Sequence, residues 1–143
     1  ERGGMLVATG FVDQVRDHFH PIPRRGRIDV DRLRRRLPDR EVHEGHMLTV
    51  PGTLLQNRRM LHFHRHIWRC IGLEMEGAHY QKAIQSAALI RKSIDSDVKV
   101  RYAYYASDNP LETGSTLSSG SLGIEGVKPT YLITQKILEK ILS

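Results

Sequence analysis

The ten residues Cys70-Ile71-Gly72-Leu73-Glu74-Met75-Glu76-Gly77-Ala78-His79 constrain this chain more than any other stretch. A short apolar run ends in two carboxylates around a thioether, and a helical pattern begins at once. Cys70 to Leu73 reads as the end of a buried strand. Ala78 to about Ile94 reads as a helix, with Ala78, Gln81, Ile84 and Ala88 spaced for one or two faces. Glu74 and Glu76 therefore stand at a strand-to-helix junction, and α/β proteins bind ligands at the carboxyl ends of strands. A plainer role is open to both, because acids at a helix start are favoured by the helix dipole.

A second stretch sharpens the choice. Val98 to Ala106 is rich in β-branched and aromatic residues and reads as a strand. It runs into Ser107-Asp108-Asn109-Pro110, which has loop chemistry. The order is then strand, Glu-Met-Glu-Gly, helix, strand, Ser-Asp-Asn-Pro. A βαβ unit holds its two strands parallel with a right-handed crossover. Their carboxyl ends would share one sheet edge, and Glu74, Glu76 and Asp108 would converge on one ligand.

Two motifs in this arrangement resemble a known superfamily. Leu73-Glu74-Met75-Glu76-Gly77-Ala78 resembles the Glu-Met-Glu signature of the nucleoside phosphorylases and nucleosidases. Ala106-Ser107-Asp108-Asn109-Pro110-Leu111 resembles their Ser-Asp loop, in the form of the AMP nucleosidase branch. The resemblance covers roughly Met47 to the C-terminus. It implies an α/β fold, a mixed central sheet flanked by helices, of which this chain is the C-terminal portion. It implies cleavage of the N-glycosidic bond of a purine nucleoside or nucleotide, without a cofactor, phosphate being a potential co-substrate. Glu76 would grip the ribose hydroxyls and Met75 would pack on the sugar, with Glu74 beside them. Asp108 would be the catalytic acid at purine N7, with Ser107 orienting its carboxyl or capping the loop. The resemblance also implies a homo-oligomer in which a neighbour completes the site. Whether phosphate or water attacks is left open.

The chemistry suits these residue types. Breaking an N-glycosidic bond builds positive charge on the sugar and negative charge on the base. A carboxylate accepts two strong hydrogen bonds from vicinal hydroxyls. An ordinary Asp is ionised at neutral pH. A general acid at Asp108 must be held protonated by burial or nearby negative charge, or be protonated through the affinity of the base. Asp108 has a plainer alternative as a turn former before Asn-Pro. The rival to an enzyme is a catalytically silent nucleotide-binding or assembly module on the same fold. Two features depart from the superfamily. The spacing from Glu76 to Asp108 is long, with the surplus near Ile94 to Asp97. No aromatic stands at Leu54, Leu55 or Gln56, where the superfamily stacks one on the base.

The 143 residues suit one domain, 39% hydrophobic and 27% charged. No apolar run is long enough to cross a bilayer. Glu1-Arg2-Gly3-Gly4 is no signal peptide and reads as the interior of a longer gene product or as a trimmed start. The single cysteine, Cys70, excludes an internal disulfide and fits a reducing, cytoplasmic setting. Its apolar surroundings favour a core residue over a reactive thiol.

Gly4 to Val12 reads as a strand ending in a turn, and His18 to Pro23 as irregular. Asp29 or Asp31 caps a short helix with Leu33 and Leu37 on one face, ended by Pro38. Residues 21–41 form a basic insertion that supplies most of the net charge of +6. Aromatics are not interleaved with these arginines, which argues against a base-stacking nucleic-acid platform. A solvated surface, a subunit contact or a grip on a substrate phosphate remain open. Met47 to Val50 reads as a strand before a Pro-Gly turn. His62, His64 and His66 would share a face in a strand and make a zinc site conceivable. In a helix they would scatter, and packing or surface histidines are preferred. Leu111 to Gly126 reads as a loop in the place of an active-site flap. Thr130 to Leu142 reads as a terminal helix with Ile133, Ile137, Leu138 and Ile141 as its apolar stripe.

Overall fold

A computed structural model describes residues 4–52, 57–107, 109–111, 131, 134–140 and 142. Five strands form one mixed, open sheet flanked by helices. The strands are β1 (Met5–Asp13), β2 (His18–Pro21), β3 (Val42–Thr49), β4 (Cys70–Glu74) and β5 (Ala103–Tyr105). The helices are α1 (Val30–Arg36), α2 (Arg58–His66) and α3 (Gly77–Gln85). Residues 134–140 are helical as well.

β1 is the spine of the sheet. It pairs in parallel with β3, and β3 pairs in parallel with β4. Its other edge is shared by two short antiparallel strands, β2 along Gly10 to Asp13 and β5 along Met5 to Val7. Asp13, Thr49 and Glu74 therefore lie in register at the carboxyl edge of the three parallel strands. Met5 and Val42 mark the opposite edge.

Alternation along the strands divides the core between two faces. On one face Ala8, Phe11, Ile22 and Met47 cluster with Ala78 of α3. Tyr102 and Tyr104 pack on that cluster. The Phe11 ring meets Tyr102 edge-on at 4.8 Å and Tyr104 at 6.5 Å, geometries worth about 0.5–1.5 kcal/mol each beyond burial. On the other face Met5, Val7 and Val42 are covered by Val30, Leu33 and Leu37 of the α1 segment. Asp29 caps α1 by accepting the Arg32 N–H at 2.9 Å, as its sequence requires.

The basic segment is more than solvated surface. Arg27 donates to the carbonyls of Ile22 and Thr9, and Arg34 to that of Val42. Arg25 pairs with Asp97 at 2.7 Å. The arginines of α1 sit across the sheet from α3.

Several elements differ from the sequence reading. His18 to Pro21 is a strand, because Asp13 turns the chain back by accepting the Val15 and Arg16 N–H groups. Asp17 sits at φ 50° in that turn. β3 begins at Val42, five residues before the expected start. α3 ends at Gln85 and continues as a π-helical turn over Ser86–Ile90. The expected flap at 112–126 lies outside the described residues, as do Ile133 and Ile141. Ile137, Leu138 and Leu142 of the terminal helix are exposed, not laid on the sheet.

The largest correction concerns β5. It runs antiparallel to β1, at the far side of the sheet from β4. The parallel β4–β5 unit expected from the sequence is absent. Tyr102 and Tyr104 pack against Phe11 as this stretch takes the free edge of β1, and pairing there reverses the direction of the strand.

α3 starts unusually close to the sheet. A Cβ on Gly77 would stand 2.2 Å from the Phe11 ring, closer than any carbon pair tolerates. Gly77→Ala is therefore expected to destabilise the fold by about 1–3 kcal/mol, the usual cost of overpacking. A urea midpoint equal to that of the parent would show that Phe11 yields freely.

Among the described residues no helix is long and apolar enough to cross a membrane.

Candidate functional site

The carboxyl edge of the sheet and the start of α3 form one hydrogen-bonded junction. β4 ends at Glu74, Met75 and Glu76 make the bend, and α3 begins at Gly77. Glu74 points to the α3 side. Its Oε2 accepts the backbone N–H of Glu76 at 2.7 Å and of Gly77 at 2.5 Å. Its Oε1 accepts the hydroxyl of Thr49. The same Thr49 oxygen accepts the Ala78 N–H at 2.9 Å.

Two of the N–H groups that a helix start leaves unpaired are thus satisfied from the sheet. Glu74 serves the helix from three residues before Gly77, and Thr49 serves it from the neighbouring strand. Glu74 makes the helix-start contacts that the plainer reading gives it. Its carboxylate is engaged by three donors of the protein itself.

Glu76 is different. It is the N-cap residue of α3, yet its side chain makes no capping hydrogen bond. It is exposed, and Met75 beside it is 41% exposed. One acid is built into the fold, and the next is presented to solvent on a bend fixed by the first.

Aromatic groups border this junction on the same face. Tyr102 donates from its hydroxyl to Gln81 Oε1 of α3 at 2.8 Å. Burial, with Tyr80 and then Glu74 adding, pushes the Tyr102 hydroxyl above its ordinary range. Burial, then the charges of Glu74, Tyr102 and Glu76, do the same for Tyr104. Both phenols stay protonated through neutral pH, and Tyr102 acts as a donor. The sequence reading passed over Thr49 and Tyr104. A strand-terminal Thr carries no local signal for a bond to a helix 29 residues away.

Ser107 does not join this junction. β5 runs toward the opposite edge, where the Ala106 N–H donates to the Gly4 carbonyl at 2.8 Å. Nine residues of β1 separate the two edges, about 26 Å at some 3.3 Å per residue. Ser107 is exposed beyond that far edge. Asp108 lies outside the described residues, and so do Leu54, Leu55 and Gln56.

The histidine tract is helical, so the three imidazoles do not share a strand face. His62 and His66 stack one turn apart, with ring centroids at 6.0 Å, where the sequence reading scattered them. His64 is buried, and its Nδ1 bonds the Met60 carbonyl at 2.8 Å. Cys70 is half-buried, and burial pushes its thiol up to about 12. It behaves as a packing residue at neutral pH.

A family model described as a family of unknown function, DUF6909, matches residues 1–143. No curated protein matches the chain.

Proposed function

This chain belongs to that family of unknown function, and we propose that it cleaves the N-glycosidic bond of a purine nucleoside or nucleotide, with Glu76 as the ribose grip. The division of labour between the two glutamates carries this reading. A sugar-binding carboxylate must be free of protein donors and fixed in direction. Glu76 accepts no capping bond, and its backbone is held by Glu74. Exposed Met75 offers an apolar surface for the sugar ring. Asp108 is the proposed general acid at the purine. Because Ser107 beside it stands at the opposite edge of the sheet, it would serve the base at Glu76 from a neighbouring copy in a homo-oligomer. The attacking group is phosphate or water.

The arginines of α1 play no part in this proposal. They lie across the sheet from α3, so they do not reach the phosphate of a nucleotide held at Glu76.

Glu76→Gln tests the grip. An amide keeps the shape but loses the charge-assisted bonds, which are worth about 1.5–3 kcal/mol each. Affinity for adenosine and AMP should fall roughly tenfold or more, and affinity for adenine should stay. Equal adenosine affinity in the variant removes Glu76 from the site.

One observation favours a second reading. β5 carries Ser107 away from Glu76, which suits a module that binds a nucleoside without turning it over. Free-base release from adenosine, inosine, guanosine and AMP, with and without phosphate, separates the two. Release that needs phosphate marks a phosphorylase, and release without it a nucleosidase. Binding without release marks the silent module.

A further inference from the structure

The geometry points to Thr49 as the residue that positions Glu76 for sugar binding. The inference rests on the reading of Glu76 above and extends it to a residue outside both motifs.

Thr49 closes β3 and is 1% exposed. Its hydroxyl is used twice, as donor to Glu74 Oε1 and as acceptor from the Ala78 N–H. It thereby ties the end of β3, the end of β4 and the start of α3 in one knot. Glu76 stands between the tied points. Its own N–H and that of Gly77 are held by Glu74, and the next N–H is held by Thr49. The backbone carrying Glu76 is fixed from both sides while its carboxylate stays free. A binding group held by supporting hydrogen bonds in this way loses little freedom when ligand arrives.

The hydroxyl is the part that matters. Valine has nearly the same shape but can neither donate to Glu74 nor accept from Ala78. It would leave a carboxylate oxygen and a buried N–H without partners. Serine keeps both bonds and gives up only a methyl group.

The test titrates adenosine and free adenine into the parent chain, Thr49→Ser, Thr49→Val and Thr49→Ala, with circular dichroism confirming the fold of each. Thr49→Val should bind adenosine about tenfold more weakly or worse, with adenine affinity unchanged. Thr49→Ser should restore adenosine binding to near the parent value. Thr49→Ala removes the hydroxyl without adding a branched methyl, and it carries the same expectation should the valine chain not fold. A folded valine or alanine variant with parental adenosine affinity overturns the assignment. So does an equal loss for adenosine and adenine, which is what mere loosening of the fold would give. A parent chain that binds adenosine no better than adenine overturns the reading of Glu76, and Thr49 falls with it.

Discussion

Glu74→Ala is expected to lower the stability of the chain by about 2–4 kcal/mol. The carboxylate accepts two backbone N–H groups at the start of α3 and the hydroxyl of Thr49. Loss of a helix cap alone costs about 0.5–2 kcal/mol. Each donor then left unpaired in a half-buried place adds about 1–3 kcal/mol, less whatever water recovers. Water reaches this junction, since Glu74 is only half-buried, so the total stays below the plain sum. Glu76→Ala, two residues on, should stay within about 0.5 kcal/mol of the parent, as exposed substitutions usually do. Urea midpoints of the two variants make the comparison, with the slope reporting any change in the exposed surface. The expected result is a strong asymmetry between the two acids of one motif. Equal losses would mean that the capping bonds carry little, and that Glu74 is as available to a ligand as Glu76.

That asymmetry marks where the sequence stops being informative. Local chemistry was legible. Asp29 caps α1, and Leu33 and Leu37 form the inner side of its segment. The apolar run at Cys70 is a strand, and Ala78 lies inside a helix. Each of these follows from residues within a turn or two of one another. The roles of Glu74 and Glu76 depend on what lies across the sheet. As residues they are identical, and only the register that sets Thr49 beside Glu74 tells them apart. The direction of β5 was hidden for a similar reason. Tyr102, Tyr104 and Tyr105 declare a strand but not its partner. Its partner is chosen by Phe11, more than ninety positions away in the chain. The histidines at 62, 64 and 66 satisfied two periodicities at once. The Asn57 cap, whose side chain accepts the Arg59 and Met60 N–H groups, decides for the helix.

Asp108→Asn is the variant expected to have the largest effect on turnover. Departure of a purine needs a proton at the base nitrogen as negative charge builds there. A carboxylic acid supplies it, whereas an amide keeps a hydrogen-bond donor but has no proton to give up. General acid help of this kind is worth about two to four orders of magnitude. Base release should fall by that amount, and nucleoside binding should persist because the amide still bonds the ring. The measurement is a single-turnover assay of base release beside a titration of the same variant. Loss of release with binding retained assigns the acid to Asp108. It would also mean that Asp108 reaches the base from a neighbouring copy of the chain, since Ser107 beside it stands at the edge opposite Glu76. Unchanged release removes Asp108 from the mechanism and returns it to its role before Asn109-Pro110, as a turn former. Absence of release from the parent, with nucleoside still bound at Glu76, would give the direction of β5 its simplest meaning. The sugar grip would then be complete at one edge of the sheet, and the acid that cleavage requires would be missing from it.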